Sequence, residues 1–123
     1  MSDDHEQAPA RDGVDRVRFA GGVSERDRDL VADTLSQVIS RFEHVDRAWE
    51  MELSVKDRDA PGMVTTLEAW IPGRKRLVAT SQEADLRAGL NDCGDDLLRQ
   101  FTRDTDRRTP MANRARRDTI RGS

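Results

Sequence analysis

The chain has 123 residues, of which 35% are apolar and 37% are charged, where an average globular domain is about 25% charged. That length allows one domain with one modest core and excludes a two-domain enzyme with a separate cofactor domain. The 21 basic and 24 acidic residues give a net charge of −3. They are unevenly distributed, because residues 1–60 hold 9 basic and 15 acidic groups whereas residues 99–123 hold 8 Arg and 3 Asp. This asymmetry predicts an interaction tail at the basic end.

The cysteine count and the first residues limit the class of protein. Cys93 is the single cysteine, so neither an intramolecular disulfide nor a cysteine-based metal cluster can form. The opening run MSDDHEQAPARDG is acidic and polar, unlike a signal peptide, and no apolar run approaches the ~18 residues that span a membrane. We therefore expect a soluble cytoplasmic protein without membrane contact, whose residues 1–13 form a disordered lead-in.

The first predicted elements are a strand and a helix. Residues 14–20 alternate apolar Val17 and Phe19 with arginines, which indicates a short half-buried strand. Ser24 has the properties of a helix N-cap, and we expect the helix to cover residues 24–43. Its buried stripe recurs at i, i+4, i+7 and i+11 and consists of Val31, Leu35, Val38 and Phe42.

Three strands are predicted to follow. Residues 48–55 alternate apolar and polar side chains. Residues 64–71 are rich in β-branched and aromatic residues, and residues 74–80 follow the Pro72-Gly73 turn.

A second helix with one apolar stripe completes the predicted domain. Its order of elements is β-α-β-β-β-α, which predicts an α+β fold with two helices packed on one face of a four-stranded sheet. Gly89 and Gly94 weaken this helix by up to ~1 kcal/mol each, and Pro110 limits it. We expect the domain to cover residues 14–108 and a basic tail to cover residues 109–123. The stripe consists of Leu86, Leu90, Cys93, Leu97 and Phe101.

One segment nearly matches a calcium-binding loop. Asp57, Asp59, Gly62 and Glu68 have the spacing of that motif. Pro61 stands where a side-chain oxygen is needed, and the flanks are predicted strands rather than helices. We therefore predict a solvated hairpin loop and no metal site.

Residues with the chemistry of catalysis are scarce. The two histidines, His5 and His44, have no second ligand or nucleophile at a useful spacing. Cys93 lies on an apolar stripe, where a buried and unreactive thiol is the usual state. No phosphate-binding loop, zinc-protease motif or nucleophile elbow is present. We expect no enzymatic activity and no cofactor.

Arginine supplies 19 of the 21 basic residues, and it is the residue that binds phosphate with two parallel hydrogen bonds and stacks on bases. Arg99, Arg103 and Arg107 recur at i, i+4 and i+8 and form a ridge along the second helix that continues into the tail. This ridge predicts contact with RNA phosphates. If Arg99 instead pairs with Asp95 or Asp96 within the helix, this ridge is a solvated face. The predicted RNA-binding residues are Arg28, Arg87, Arg99, Arg103, Arg107, Arg108, Arg114, Arg116 and Arg117.

The residues around the second helix resemble those of the ribosome hibernation-promoting factor and ribosome-associated inhibitor family. The remaining elements fit the same family, so the resemblance covers residues 14–108. The motif consists of Ala79-Thr80, the run from Glu83 to Leu90, Asp95, Leu97 and the run from Arg99 to Arg103.

This resemblance implies a non-enzymatic factor that binds the small ribosomal subunit. Such proteins occupy the channel used by mRNA and tRNA, contact the backbone of the 16S-type rRNA and inhibit translation under stress. Arg99, Arg103 and Arg28 match basic positions of the family. The chain ends soon after Thr109 and so resembles the short form, which implies a protein that is monomeric off the ribosome and does not bind DNA.

A second function is compatible with the same sequence. Thr34, Gln37 and Asp96 stand where members of the family often carry basic residues. If these differences remove rRNA binding, the fold serves as a protein-interaction module, and its acidic first half binds a basic protein.

Overall fold

The computed structural model describes residues 13–108. The predicted lead-in, apart from Gly13, and the predicted tail lie outside the described residues. The elements in chain order are β1 (Val17–Phe19), a 3-10 turn (Glu25–Asp27), α1 (Arg28–Thr34), α2 (Ser36–Val45), β2 (Glu50–Lys56), β3 (Val64–Trp70), β4 (Leu77–Ser81) and α3 (Leu86–Arg108).

The four strands form one mixed sheet in the order β1-β2-β3-β4. β1 pairs with β2 in parallel, and the other two pairs are antiparallel. Buried and half-exposed residues alternate along β2 and β3, as expected when one face of a sheet is covered by helices and the other faces water. The predicted α+β fold is confirmed.

The chain is packed from Gly13 onward. A Cβ added at Gly13 would lie 2.2 Å from Ile39 Cγ2, and Val14 is buried. The Arg16 amide donates a hydrogen bond to the Gly13 carbonyl at 2.9 Å, so the backbone turns here. Because of this turn, β1 begins at Val17 and has three residues. The prediction that this strand begins at Val14 is therefore wrong.

The predicted first helix is interrupted rather than continuous. It begins as a 3-10 turn capped by Ser24, whose amide donates to Asp27 Oδ2 at 3.0 Å. Leu35, with φ −99° and ψ 16°, then separates α1 from α2. The amides of Leu35 and Ile39 still bond to the carbonyls four residues earlier, each at 2.9 Å. The interruption is therefore a local distortion, and the predicted stripe of Val31, Leu35, Val38 and Phe42 is buried.

The two glycines of α3 lie where the helix approaches its neighbours most closely. A Cβ at Gly89 would lie 2.7 Å from Thr65 Oγ1 on β3, and a Cβ at Gly94 would lie 3.1 Å from Leu35 Cδ2. Their unfavourable helix propensity is thus offset by close packing against the sheet and against the α1–α2 junction. The predicted apolar stripe of α3, from Leu86 to Phe101, is buried as expected.

Aromatic rings join α2 and α3 in the core. The Phe42 ring of α2 contacts Trp49 edge-on at a centroid distance of 5.9 Å and Phe101 of α3 at 5.2 Å. Edge-to-face pairs of this kind stabilise beyond their buried area. The contact with Phe101 fixes the C-terminal half of α3 beside α2.

Candidate nucleic-acid interface

Two of the predicted RNA-binding arginines are held by carboxylates of neighbouring elements. Arg28 forms ion pairs with Asp15 and with Glu25, the latter at 3.5 Å. Arg87, at the start of α3, lies 3.5 Å from the Asp33 carboxylate of α1. These contacts connect α1 with the chain before β1 and with α3, so both arginines take part in the charge pairing of the domain surface.

Arg99 and Arg103 lie together on the C-terminal half of α3. Arg99 pairs with Asp96 at 3.6 Å rather than with Asp95, and its side chain is 64% exposed. Arg103 is exposed and forms no ion pair within the part of the chain that the structure describes. Both line a shallow depression together with Asp95, Leu98, Thr102 and Asp106.

The structure does not bring all the predicted residues to one place. Arg87 and Arg99 are twelve positions apart on one helix, which corresponds to about 18 Å, and Arg28 lies on α1. Arg107 and Arg108 end the α3 backbone, but their side chains lie outside the described part. Arg114, Arg116 and Arg117 lie outside the described residues, so their role stays a prediction.

A groove between α2 and α3 adds residues that the sequence reasoning missed. Leu98 of α3 lines this groove and also borders the depression that contains Arg99 and Arg103. The Arg41 guanidinium lies 5.8 Å from the centre of the Phe101 ring. The α2 wall consists of Gln37, Ser40, Arg41 and His44.

The sequence spacing of these α2 residues indicates that they share one face of the helix. Gln37, Arg41 and His44 recur at i, i+4 and i+7, which places them on one helix face beside the apolar stripe. That this polar face meets α3 depends on how the helices pack, and the sequence pattern does not specify it. We define Gln37, Ser40, Arg41, His44 and Leu98 as the α2–α3 groove.

Contacts with β4 and with the β3–β4 connection hold the C-terminal half of α3 in place. One guanidinium nitrogen of Arg74 donates to Asp104 at 3.2 Å and to Thr105 Oγ1 at 2.8 Å, and the group lies 4.9 Å from the centre of the Phe101 ring. Gln100 Nε2 donates to the Val78 carbonyl at 2.8 Å. These bonds fix the direction in which α3 leads toward the basic tail.

The domain up to Asp106 is acidic even though the chain ends in a basic segment. Residues 13–106 contain 14 basic and 19 acidic side chains, a net charge of −5. Residues 107–123 contain six Arg and one Asp, a net charge of +5. Arg99 and Arg103 therefore occupy the end of the domain that adjoins the positively charged segment.

The segment that resembles a calcium loop is a hairpin loop between β2 and β3, as predicted. Arg58 points from it toward Asp27 and Gly22, and Glu68 lies within β3, 3.7 Å from Arg76. Asp57 and Asp59 have positive φ angles of 54° and 65°. Within residues 13–108 no group of three His, Cys, Asp or Glu side chains is arranged to hold a metal ion.

The buried Cys93 thiol lies between α3 and the sheet, with Sγ 3.5 Å from the Thr65 carbonyl and 3.6 Å from the Ala79 carbonyl. Burial, and the nearby carboxylates of Asp92 and Asp96, raise its pKa to about 12. The thiol is therefore protonated at neutral pH, as expected for a structural cysteine.

Comparison with known proteins identifies the fold. No family model and no curated protein matches the sequence. Among solved structures, the Protein Y N-terminal domain of Thermus thermophilus superposes with a TM-score of 0.54 at 19% identity, covering 70% of this chain and 93% of that one. The two chains share a fold. A structure described as a putative lipoprotein from Caulobacter crescentus aligns over 85% of this chain and 96% of that one at 16% identity. Its TM-score of 0.30 is too low to indicate a shared fold.

No helix among residues 13–108 has the length and the apolar content that crossing a membrane requires.

Proposed function

We propose that this protein is a ribosome-associated factor that binds the small subunit through rRNA phosphates and inhibits translation without catalysing a reaction. The observation that carries the proposal is the fold shared with the Protein Y N-terminal domain, which belongs to the ribosome hibernation factor family. The sequence motif from Ala79 to Arg103 independently resembles the same family. Motif and fold therefore support one functional class.

The distribution of charge supports contact with RNA at one end of the molecule. Arg99 and Arg103 are exposed on the last part of α3. The end of this helix and the segment after it, residues 107–123, have a net charge of +5. Guanidinium groups bind phosphate oxygens with paired hydrogen bonds, so we propose that this end of the domain and the basic tail contact the rRNA backbone.

A protein that inhibits translation by occupying the mRNA and tRNA channel needs no chemical step. The one cysteine of the chain has a buried thiol with a pKa of about 12, which makes it unsuited to nucleophilic attack at neutral pH. A protein that fills the channel used by mRNA and tRNA would block translation simply by excluding them. Cytoplasmic location follows from this proposal.

Sedimentation with purified ribosomes tests the proposal. We expect the protein to sediment with the small subunit and with whole ribosomes at low salt, and not with the large subunit alone. Arg99→Glu with Arg103→Glu should reduce this fraction strongly. The matched control is Arg26→Glu with Lys56→Glu, two exposed residues that undergo the same change of charge at the opposite end of the domain. Absence of the wild-type protein from all ribosomal fractions at low salt would overturn the proposal.

The net charge of −5 over residues 13–106 favours a second candidate, a module that binds a basic protein partner. Electrostatic complementarity accelerates such encounters and selects among partners. In that case the protein would not sediment with rRNA-containing particles. The subunit assay therefore separates the two functions.

A further inference from the structure

We propose that Arg74, in the β3–β4 connection, is a positioning residue that keeps the last two turns of α3 helical and so orders the basic end of the domain for RNA. Its effect on RNA binding rests on the proposed function, whereas its effect on the helix does not. Arg74 is not one of the predicted RNA-binding residues, and no sequence pattern distinguishes it from Arg76 two positions later.

The last two turns of α3 contain no apolar residue. Buried side chains recur along the helix as far as Phe101, but the seven residues from Thr102 to Arg108 are all polar or charged. A helical segment of this length is marginal in water, because most helical stability in proteins comes from packing an apolar face. The segment therefore depends on polar contacts with the rest of the domain.

Arg74 supplies such contacts. One of its terminal guanidinium nitrogens donates to Asp104 Oδ2 at 3.2 Å and to Thr105 Oγ1 at 2.8 Å, and the group lies 4.9 Å from the centre of the Phe101 ring. Phe101, Asp104 and Thr105 share one face of α3, because the last two lie three and four positions after the first. The guanidinium thus continues the buried stripe of the helix by one turn.

The ion pair is shielded from water, and its arginine starts from a rigid turn. The side chains of Arg74 and Asp104 are 17% and 16% exposed, so salt screens this pair less than it screens pairs on the open surface. The Arg74 amide donates to the carbonyl of buried Ile71 at 2.9 Å. Gly73, at φ 77°, has the conformation that a type II turn requires at its third residue. The turn therefore presents the guanidinium to α3 at little cost in backbone entropy.

Helical order at this end decides how Arg103 lies relative to Arg99. Side chains four positions apart on a helix are ~5–6 Å apart at Cβ, and both arginines are exposed. If the turns after Phe101 fray, this spacing is lost, and residues 107–123, with their net charge of +5, no longer continue from a fixed helix end. RNA binding then requires the helix to re-form, which raises the apparent Kd by the inverse of the helical fraction.

Amide hydrogen exchange, measured by NMR on the full chain, tests the effect on the helix. In Arg74→Ala we expect the protection of the amides of residues 103–106 to fall about tenfold or more, as loss of a hydrogen bond to a charged group implies. Buried Leu90 should stay protected. The matched control is Arg76→Ala, which removes an arginine of the same connection that pairs with Glu68 at 3.7 Å rather than with α3. Protection of residues 103–106 that is equal in Arg74→Ala and wild type overturns the proposal.

Asp104 separates positioning by Arg74 from direct contact of Arg74 with RNA, because the two predict opposite signs. Asp104→Ala removes a negative charge at the negative end of the helix dipole and introduces a better helix former, so local electrostatics and propensity predict a firmer helix and tighter RNA binding. Loss of the Arg74 contact predicts less protection of residues 103–106 and weaker binding to small ribosomal subunits at low salt. A helical fraction of about one fifth gives a loss of about fivefold.

The matched control for this substitution is Asp106→Ala, the same change at an exposed position of the same helix end, which should bind subunits at least as tightly as wild type. Asp104→Ala that binds as tightly as this control overturns the proposal. If Arg74→Ala loses protection at Leu90 as well, it is unfolded, and Asp104→Ala decides. If the wild type does not bind subunits, the proposed function fails, whereas hydrogen exchange still decides whether Arg74 holds the end of α3.

Discussion

Arg58 donates to the Asp27 carboxylate through its two terminal guanidinium nitrogens, at 2.9 and 3.1 Å, and thereby joins the β2–β3 hairpin loop to the start of α1. The first of these nitrogens also donates to the Gly22 carbonyl at 2.8 Å. The Asp27 side chain is 8% exposed and that of Arg58 30% exposed. This pair therefore fixes the helical layer relative to the sheet at the end of the domain remote from the basic tail.

The pair predicts acid-dependent stability. The hydrogen bond from Arg58 lowers the pKa of Asp27, so the folded state favours the ionised carboxylate. This stabilisation is present above the ordinary Asp pKa of about 4 and is lost as the pH falls through the lower folded value. Asp27→Asn should reduce the free energy of unfolding at pH 7 by about 1–3 kcal/mol. The difference from wild type in urea unfolding should narrow below pH ~4, and a difference constant with pH would contradict the assignment.

Leu90 tests the packing of α3 on the sheet. It is fully buried, so Leu90→Ala should lower the free energy of unfolding by about 2–5 kcal/mol through lost transfer energy and a residual cavity. Gln82→Ala, at an exposed position, serves as the surface control. A thermal shift for Leu90→Ala no larger than that of the control would show that the register of α3 is wrong.

Gly89 tests the close approach of α3 to β3. Alanine is the better helix former by about 1 kcal/mol, but here its Cβ would lie 2.7 Å from Thr65 Oγ1. We expect Gly89→Ala to destabilise the protein by about 1–3 kcal/mol, as overpacking does. Adding Thr65→Ala should recover part of the loss in denaturant unfolding, because it removes the clashing hydroxyl. A stabilised Gly89→Ala variant would show that the helix lies farther from the sheet.

The salt dependence of ribosome binding tests Arg99 and Arg103. Each lost phosphate contact should reduce the slope of log K against log salt by about 0.7–0.9, so Arg99→Glu with Arg103→Glu should flatten it. Loss of the Asp96 pair costs only about 0.2–0.5 kcal/mol, and the melting temperature should therefore change little. An unchanged slope would identify the two arginines as a solvated surface pair.

Local periodicity was sufficient to predict the order of the elements. The alternation Trp49, Met51, Leu53 and Val55 predicts a strand with one buried face, and the stripe from Leu86 to Phe101 predicts one helix face. These patterns are decided by neighbours within a few positions, because a strand or helix must bury the residues that share its face. The sheet, the two helical stripes and the hairpin loop after Lys56 were all predictable on this basis.

Tertiary structure decided the candidate site. Arg87, for example, pairs with Asp33, which is distant in sequence and adjacent in space. The groove exists because Leu98 of α3 lies beside Arg41 and His44 of α2. The interruption at Leu35 likewise accompanies the close approach of Gly94. Sequence periodicity determined which faces are buried, whereas the charges that face each other were set by contacts between elements, which no local pattern encodes.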